Sequence, residues 1–551
     1  MICGHCLIRH RCWYLRSAAV FCLLLAGCGV PGPGGQADSF GLDLRMPAGS
    51  QAHGAVIFFV DGVNAEIFQK MLEANELPAI QKYFVERGLY APRAVANIPS
   101  VTLANMTSFV TGRFPGHHGV TGINWFDRNQ LIWRNYESIA QKNTLDGDYI
   151  SPNIYDGFGG ESTFSLFFQP HRGSTKFIEN WTSAGPPFFF GWFEFVDRLT
   201  LWRLNIVADV ARKRHAWPAI TIVYLLAPDF RGYGCGVGSE QYRRALRHTD
   251  RQIGRVCGDL DRAGLLEKLT LVLTSDHGLD AVKRHFPLEK FLRREGLKIA
   301  PARLWEETPF EKRLDHYRKY PVVLYGSGDR YWAICLRKPI RTGGKLLGYR
   351  PWPIRPDAED LKAYPVAGTD VDLLALLTDQ PAVDAVAYAV GPNRVRLRRK
   401  NGEVEFCQDG GQGGQISYRL ICGTDPLGWT AVVHKEAMDG QPLTGRQWLE
   451  ATAETEFPDL PAQILAYFRA RRAGDIAVFA APGWDFFNVN RAGHGGLRPA
   501  DMHVPLLIAG HGAAKGRLKT ARTADVMPTL LKLLGRPVPE GVDGKALLPA
   551  R

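Results

Sequence analysis

The sequence has few cysteines, and those beyond residue 28 are not spaced for a zinc-thiolate site. Ten cysteines occur in 551 residues, and the later ones stand singly at Cys235, Cys257, Cys335, Cys407 and Cys422. Structural zinc sites of that kind need closely spaced cysteine pairs, so this class is excluded for that part of the chain. Cys407 and Cys422 flank a glycine-rich turn between two strand-like runs, which predicts a disulfide in an oxidising compartment.

The chain also lacks an arginine-rich run with interleaved aromatic residues, although its net charge is +12. Nucleic-acid binding is therefore poorly supported, and no nucleic-acid duplex is expected as a partner. A basic excess spread along the chain suits anionic phosphate esters and anionic lipid surfaces equally. The hydrophobic content of 45% and charged content of 22% are ordinary for a globular protein that can bury a large core.

The apolar stretch near the start of the sequence, residues 18–25, is too short to span a bilayer as a helix. It follows arginines and leads into Leu25-Ala26-Gly27-Cys28, which predicts a secretory signal peptide over residues 1–27. These four residues resemble a bacterial lipobox, which implies cleavage before Cys28 and lipidation of its thiol. The alternative is a plain signal peptide with an incidental cysteine.

Residues 28–52 are rich in glycine and proline and are predicted to form a flexible tether. The expectation is an exported protein that is anchored to the bacterial cell envelope, at its periplasmic or outer face. Lipidated Cys28 would be the link to the membrane.

Three near-continuous apolar runs each end in carboxylate or imidazole side chains, at Asp61, Asp229 and Asp276-His277. Runs of this kind indicate strands buried on both faces, and hence a mostly parallel sheet with helices on both faces. Ligands of such sheets bind at the carboxyl ends of the strands, where these side chains stand. His494, within Gly-His-Gly-Gly, supplies a further imidazole late in the chain.

A hydroxyl, Thr102, follows a proline-bearing loop at the start of a predicted helix. Pro99 and Ser100 suit the beginning of a helix, and free N–H groups there favour anions such as phosphate. Asn105 is predicted to donate from the same face to a developing oxyanion. A hydroxyl at this position can also be a simple cap. Together with the strand-end ligands, it indicates a metal such as zinc that activates a nucleophile.

In combination and in this order, the motifs resemble the alkaline phosphatase superfamily, and most of all its nucleotide pyrophosphatase/phosphodiesterase branch. The motifs are Asp61-Gly62, Pro99-Ser100-Val101-Thr102-Leu103-Ala104-Asn105, Val110-Thr111-Gly112, Pro228-Asp229, Ser275-Asp276-His277-Gly278 and His494-Gly495. The resemblance covers roughly residues 53–545, with one divergent insert.

The resemblance implies an α/β fold with an alkaline phosphatase-like core over residues 53–300 and 441–551. Residues 301–440 are predicted to form a smaller α+β cap, because short strand-like runs at 383–388, 394–398 and 416–420 are typical of antiparallel strands. The core is expected to resume with the apolar run at 475–480 and to continue at 504–510.

The resemblance also implies roles for the site residues. One Zn²⁺ would be held by Asp61, Thr102, Asp276 and His277. The Thr102 alkoxide would attack phosphorus and form a phospho-threonine, while Asn105 stabilises the charged oxygens.

A second Zn²⁺ would be held by Asp229, His494 and a histidine of the motif that follows Pro228-Asp229. Tyr233 stands where that histidine belongs. A phenol is a poor neutral zinc ligand, so the second site is expected to be weaker, completed by another group, or empty.

The leading hypothesis is a metal-dependent hydrolase of small-molecule or lipid phosphate esters, with diesters or pyrophosphates favoured over monoesters. A single-zinc transferase of phosphoethanolamine type is the alternative, followed by a binding protein that retains the fold. A sulfatase is not expected, since no Cys-x-Pro-x-Arg stands at the nucleophile position.

Residues 155–205 are unusually rich in aromatic side chains. Three interpretations remain open for this region. It can be a substrate-facing lid with an apolar platform, ordinary packing over the sheet, or a contact with the membrane interface.

Overall fold

The computed structural model describes residues 53–138, 141–179, 181–214, 216–301, 303–487 and 489–548. The predicted signal peptide, the tether and Cys28 lie outside these ranges. Among the helices that the structure describes, none combines the length and apolar character that crossing a membrane requires.

An eight-stranded sheet, the first sheet, forms one centre of the fold. Its strand order is Gly516–Arg517, Gly88–Val95, His503–Gly510, Leu269–Thr274, Gly54–Val60, Ile220–Leu225, Thr163–Leu166 and Lys176–Ile178. Only His503–Gly510 runs antiparallel to its neighbours, and the other described pairings are parallel. The predicted mostly parallel sheet is confirmed.

Helices cover both faces of the first sheet because its central strand is apolar on both sides. All seven residues of Gly54–Val60 are buried. Phe59 packs into the cluster that contains residues of helix Thr102–Thr111, whereas Phe58 packs into the cluster on the opposite face. Burying a phenylalanine side chain stabilises the fold by about 1.5–3 kcal/mol, so this strand holds the two helical layers together.

A seven-stranded antiparallel sheet, the second sheet, forms the other centre. Its strand order is Val322–Ser327, Tyr331–Leu336, Ile476–Ala480, Val383–Gly391, Arg394–Arg399, Gly402–Gln408 and Ile416–Gly423. The antiparallel strands predicted near 383–388, 394–398 and 416–420 are confirmed.

The expected return to the first sheet at residues 475–480 is wrong. Ile476–Ala480 lies in the second sheet, between Tyr331–Leu336 and Val383–Gly391. The strand is buried on both faces, and a central antiparallel strand with two covered faces has the same apolar pattern as a parallel one. The chain rejoins the first sheet at His503–Gly510, as predicted.

The remaining elements of the described ranges are short strand pairs and helices. The strand pairs are Asn124–Asp127 with Ile132–Asn135, Asp280–Ala281 with Ala492–Gly493, Arg284–His285 with Trp484–Asp485, Pro339–Thr342 with Lys345–Tyr349, and Tyr364–Val366 with Thr369–Val371. The α-helices are Ala65–Glu73, Pro78–Ile80, Thr102–Thr111, Pro115–His118, Leu145–Asp148, Trp181–Phe189, Phe193–Arg214, Ala227–Cys235, Glu240–Arg262, Leu288–Arg294, Phe310–Tyr317, Ala358–Lys362, Leu373–Thr378, Lys435–Met438, Gly445–Thr452, Leu460–Arg469, Pro499–Met502 and Val526–Leu533. A π-helix at Gln81–Val85 and 3-10 helices at Lys142–Thr144, Ile154–Phe158, Leu266–Lys268 and Thr523–Asp525 complete the set.

The predicted disulfide between Cys407 and Cys422 is wrong. The two residues lie on adjacent strands of the second sheet, but Cys407 is opposite Ser417 and Cys422 is opposite Glu403. They therefore stand near opposite ends of the strand pair, beyond the reach of a disulfide. All five cysteines in the described ranges are free.

Candidate active site

The carboxyl ends of three adjacent strands of the first sheet bring the predicted ligands together. Asp61, Asp276 and His277 place one ligand atom each within 4.8 Å of one another, and Asp229, His277 and His494 do the same. All five side chains are buried. Two candidate metal clusters therefore share the His277 imidazole.

Gly62 permits the close approach of Asp61 and Asp229. Its φ is +65°, and a Cβ at this position would lie 2.6 Å from Asp229 Oδ1 and 2.7 Å from Asp229 Cβ. A larger residue would push the two carboxylates apart. This contact explains why a glycine follows the strand-end aspartate.

Thr102 begins the helix Thr102–Thr111, as predicted, and its hydroxyl faces the first cluster. Thr102 Oγ1 lies 3.1 Å from His277 Nε2. His277 Nδ1 lies 3.0 Å from the Gly278 carbonyl oxygen, so Nδ1 carries the proton and Nε2 is left with its lone pair. Burial lowers the pKa of His277 to about 3, which keeps the imidazole neutral. Nε2 can therefore accept a hydrogen bond or bind a metal.

The Asp276 carboxylate is held so that one oxygen faces the cluster. Its Oδ1 accepts hydrogen bonds from Gly62 N at 3.2 Å, from Ser275 Oγ at 3.1 Å and from His277 N at 3.0 Å. Its Oδ2 is buried with no hydrogen-bond donor among the described residues and lies 3.2 Å from His277 Nε2. A carboxylate fixed through one oxygen presents the other as a ligand.

Asp61 is arranged in the same way. Its Oδ2 accepts a hydrogen bond from the Tyr224 hydroxyl. Its Oδ1 is buried, has no hydrogen-bond donor in the part of the chain that the structure describes, and lies 3.5 Å from His277 Nε2. The free oxygens of both carboxylates therefore converge on the same imidazole nitrogen.

The electrostatics of the cluster favour a bound cation. Burial raises the pKa of Asp61 well above its usual value, and the neighbouring charges of Asp276 and Asp229 raise it further. Burial also raises the pKa of Asp276. Several carboxylates in one dry site are unfavourable unless a positive charge neutralises them. Their two free oxygens and one unprotonated imidazole nitrogen fit a metal such as zinc.

The second cluster contains His494, whose ring stacks on His277 with centroids 3.4 Å apart. His494 Nδ1 lies 2.8 Å from the Ser100 carbonyl oxygen, so this nitrogen donates and Nε2 remains available as a ligand. Tyr233 places its ring 5.8 Å from the His494 ring, edge to face. Burial, and next the charge of Asp329, raise the pKa of Tyr233 well above its usual value, so the phenol stays protonated. Neutral phenol is a weak metal ligand.

The family model for type I phosphodiesterase / nucleotide pyrophosphatase matches residues 55–330, about half of the chain. The chain belongs to this family. The matched region contains Asp61, Thr102, Asp229, Asp276 and His277, and it ends at the turn that contacts His494. The resemblance seen in the sequence motifs is confirmed.

Relatives of known sequence support the same assignment. Ectonucleotide pyrophosphatase/phosphodiesterase family member 1 of Mus musculus is 26% identical over 254 residues, which are 45% of this chain and 26% of that protein. The Homo sapiens protein of the same name is 26% identical over 253 residues, with the same coverage. The match thus spans about a quarter of the length of these relatives.

Solved structures of the family share the fold. Murine ectonucleotide pyrophosphatase / phosphodiesterase 5 superposes with a TM-score of 0.52 at 14% identity, over 88% of this chain and 96% of that chain. The human protein gives a TM-score of 0.54 at 14% identity, over 89% and 97%. The alkaline phosphatase-like α/β core expected from the sequence is confirmed.

Asn105 does not occupy the position expected of an oxyanion donor. Its Nδ2 donates to the carbonyl oxygens of Asn97, Pro99 and Val101 at 3.0–3.2 Å. Its Oδ1 accepts from the backbone N–H of Asn97 at 2.7 Å. The side chain therefore holds the loop that precedes Thr102, and its donors are used within the protein.

Asp329 lies beside the second cluster and was not predicted from the sequence. It occupies the turn between Val322–Ser327 and Tyr331–Leu336, at a φ of +67°, and is bridged to His494. Its carboxylate accepts a hydrogen bond from Asn490 Nδ2. The residue lies in the segment predicted to be a cap, and no local motif marks it.

Tyr224 fixes Asp61, and Tyr224→Phe tests this contact. The substitution removes the hydroxyl that donates to Asp61 Oδ2 and leaves the carboxylate free to rotate. Loss of a partner that orients a metal ligand typically weakens metal affinity by about 10- to 100-fold. We expect a loss of that size in a competition titration against a chromophoric zinc chelator. Tyr320→Phe, which lies outside the site, should leave the zinc affinity unchanged. Equal losses of affinity in both variants would contradict the role of Tyr224 in orienting Asp61.

Asp197, on helix Phe193–Arg214, fixes the helix that bears Asp229 and Tyr233. Its carboxylate accepts hydrogen bonds from Leu226 N at 2.8 Å and from Ala227 N at 3.1 Å, where helix Ala227–Cys235 begins. Burial raises the pKa of Asp197 to about 7. This capping group was not predicted, because its partners are distant in sequence.

The raised pKa of Asp197 makes stability depend on pH. The folded state retains a proton that the unfolded state releases above about pH 4, so the free energy of unfolding falls as the pH rises from about 4 to 7. Asp197→Asn removes the titrating carboxyl group. The fall in the free energy of unfolding between about pH 4 and 7 should then be smaller by on the order of 3 kcal/mol. Urea unfolding between pH 4 and 8 measures it. The exposed Asp209→Asn on the same helix is the control, and an unchanged slope in Asp197→Asn would refute the assignment.

Proposed function

We propose that this protein is a metal-dependent hydrolase of phosphodiesters or pyrophosphates with Thr102 as its nucleophile. One observation carries the proposal. The Thr102 hydroxyl lies 3.1 Å from the same His277 nitrogen on which the free oxygens of Asp61 and Asp276 converge. A nucleophile and three ligand atoms thus surround one point. The pyrophosphatase/phosphodiesterase relatives support this class of substrate.

The residues that would hold a Zn²⁺ are Asp61, Asp276 and His277, together with Thr102 itself. When bound, the metal supplies Lewis acidity that lowers the pKa of the hydroxyl. Asp229 and His494 would supply further ligand atoms within 4.8 Å of His277. The buried carboxylates balance the charge of the ion, and the hydrogen bonds to Asp276 Oδ1 and Asp61 Oδ2 keep the ligands oriented.

The chain's own residues account for the chemical steps. The Thr102 hydroxyl gives up its proton to water, and its oxygen forms a bond to phosphorus as the bond to the leaving oxygen breaks, which gives a phospho-threonine and a leaving group that departs as its alcohol or phosphate. Water then attacks phosphorus and returns the threonine. The start of helix Thr102–Thr111 favours the negative charge of the phosphoryl group. A nucleotide fits this class, since murine family member 5 has been solved as an inactive threonine-to-alanine variant in complex with AMP.

A phospho-group transferase with one metal is the second candidate, favoured by Tyr233. The phenol stays protonated, so the second cluster has fewer strong ligands than the first. With a weaker second metal, attack of water on phospho-threonine would be slow, and an acceptor alcohol could replace it. Phosphoethanolamine-type transfer is the form that this candidate takes.

Metal content and turnover, measured on the same preparation, separate the candidates. We expect Zn²⁺-dependent turnover of bis(4-nitrophenyl) phosphate that exceeds turnover of 4-nitrophenyl phosphate. One metal per chain with accumulating phospho-Thr102 and slow release of phosphate would favour the transferase. Tyr233→His should raise the metal content in that case. Absence of both metal binding and turnover would refute both candidates.

We also propose export and anchoring to the cell envelope through lipid on Cys28, supported by the Leu25-Ala26-Gly27-Cys28 motif. Labelled palmitate should be incorporated by the wild type and not by Cys28→Ala. Incorporation by both chains would refute the proposal.

A further inference from the structure

Five large aromatic side chains between residues 189 and 202 are exposed. Their exposed fractions are 54% for Phe189, 45% for Phe190, 59% for Trp192, 37% for Phe195 and 39% for Trp202. We call this set the aromatic ridge. A cluster of large apolar side chains on a protein surface marks a contact with another protein, a ligand or a membrane.

The ridge follows a helical hairpin. Helix Trp181–Phe189 leads through a short turn into helix Phe193–Arg214, and Phe190 and Trp192 lie at this turn. Phe195 and Trp202 are seven residues apart and therefore share one face of the long helix. The opposite face is buried through residues that include Val196, Leu204, Val207 and Ala211. The hairpin is thus fixed to the protein by its inner face and displays its outer face.

Packing within the protein explains only the inward-facing aromatic residues of this region. Phe188 and Phe193 contact Phe230, with ring centroids 4.9 Å and 4.8 Å apart. These residues pack around a small core with Phe167 and Leu226. The ridge residues are exposed outside that core, and among them Phe189 contacts it through the Phe188 ring, with centroids 5.8 Å apart. Ordinary packing therefore accounts for the buried aromatic residues, but it does not account for the large exposed fractions of the ridge side chains.

The charges on the outer face are mainly positive. Arg198 is exposed between Phe195 and Trp202, with its guanidinium 5.0 Å from the Phe195 ring centroid. Arg212 and Lys213 are exposed at the end of the same helix. Arg212 is paired with Asp209 at 3.2 Å. Aromatic side chains flanked by cations are typical of helices that lie in the interface of an anionic bilayer.

We propose that the aromatic ridge docks onto an anionic phospholipid bilayer. Phenylalanine and tryptophan side chains would enter the boundary between headgroups and acyl chains, and Arg198 would meet lipid phosphates. The inference does not rest on the proposed catalytic function. A lipid on Cys28 would be compatible with it, because a chain of the length of residues 28–52 spans at most about 80 Å when fully extended.

Docking would orient the candidate active site relative to the membrane. The ridge helix Phe193–Arg214 bears Asp197, which caps helix Ala227–Cys235. Glu194 on the ridge helix also pairs with Arg231. The hairpin and the helix that bears Asp229 are therefore joined by buried and half-buried polar contacts, and a bound ridge fixes the position of the site above the lipid.

Hydrogen exchange on the full chain tests the proposal, because it measures protection of the ridge itself. The test therefore holds even if the leader or its lipid already binds the chain to vesicles. With vesicles containing roughly one-third phosphatidylglycerol, peptides that cover residues 188–203 should exchange several-fold more slowly than without vesicles. Equal exchange with and without vesicles, while the chain remains vesicle-bound, would overturn it. If exchange slows at higher protein concentration without vesicles, the ridge contacts a second copy of the chain. That result would also overturn the proposal.

A pair of matched variants completes the test. Phe190→Ser combined with Trp192→Ser should abolish the slowing and weaken vesicle binding of a Cys28→Ala chain at least about tenfold. Leu346→Ser combined with Leu347→Ser removes exposed apolar side chains from the strand pair Pro339–Thr342 with Lys345–Tyr349, and this variant should keep both properties. Equal behaviour of the two variants, or equal slowing by purely zwitterionic vesicles, would refute the anionic bilayer as the occupant.

Discussion

Thr102→Ala should lower turnover of bis(4-nitrophenyl) phosphate by at least about a thousandfold. The substitution removes the only atom of this residue that can form the bond to phosphorus, and losses of a nucleophile reach this size or more. Metal affinity should fall far less, because Asp61, Asp276 and His277 remain as ligands. Steady-state kinetics on metal-loaded protein measure the loss.

Thr107→Ala is the matched control for this prediction. Thr107 is buried on the same helix, and its hydroxyl donates to the Leu103 carbonyl oxygen, away from the clusters. The Thr107→Ala variant loses the same side-chain atoms as Thr102→Ala and should retain turnover. Thr102→Ser keeps a hydroxyl and should retain a measurable fraction of activity. Turnover by Thr102→Ala that matches the Thr107→Ala rate would exclude Thr102 as the nucleophile.

Arg330→Met should destabilise the fold by about 3–5 kcal/mol. The Arg330 side chain is fully buried, and it pairs with Asp501 at 3.0 Å and with Asp280 at 2.8 Å. Burial raises the pKa of Asp501 to about 6, and the guanidinium opposes that shift. Removal of one partner leaves a buried charge without compensation, which is the costly way to break such a pair. Urea unfolding near pH 8, above the raised pKa of Asp501, measures the loss.

Two comparisons delimit the effect of Arg330→Met. Arg294→Met removes an arginine whose side chain is 75% exposed and should change stability by less than about 0.5 kcal/mol. Arg330→Met combined with Asp501→Leu also removes the fully buried carboxylate and leaves only the partly exposed Asp280, so it should recover part of the loss. A loss below about 1 kcal/mol in the single variant would show that the pair is not needed.

The sequence predicted the central strands of the first sheet because they are buried on both faces, and it did not predict Gly88–Val95, Thr163–Leu166, Lys176–Ile178 or Gly516–Arg517. Long apolar runs that end in Asp61, Asp229 and Asp276 indicated both the strands and the edge at which ligands collect. Ile476–Ala480 has the same pattern and was assigned to the wrong sheet. An apolar run indicates that a strand is buried on both faces. It does not indicate which strands pair with it, because those partners lie far away in the sequence.

The sequence predicted the site residues that directly follow strands. It did not predict the residues that hold other site residues in place. Asn105 was expected to face the substrate, but three backbone carbonyl groups of the preceding loop take its donors. Tyr224, Asp197 and Asp329 contact residues that are distant in sequence, and no local spacing marks them. Their roles emerge only once the chain has folded.

The loop that bears His494 is joined to the second sheet through the backbone. His494 N donates to the Gly328 carbonyl oxygen at 2.8 Å, and Arg330 N donates to the His494 carbonyl oxygen at 3.1 Å. Gly328 has a φ of +64°, and a Cβ there would lie 2.5 Å from His494 Nδ1.

A ligand atom of the second cluster is thus positioned by a turn of the second sheet. By thermodynamic reciprocity, any ion that His494 binds must also strengthen the attachment of the second sheet. The size of this effect depends on the concentration of the ion relative to the dissociation constant of the ion. Chelation should therefore make the second sheet more susceptible to proteolysis. Supply of metal would then govern how long the protein survives as well as how fast it works.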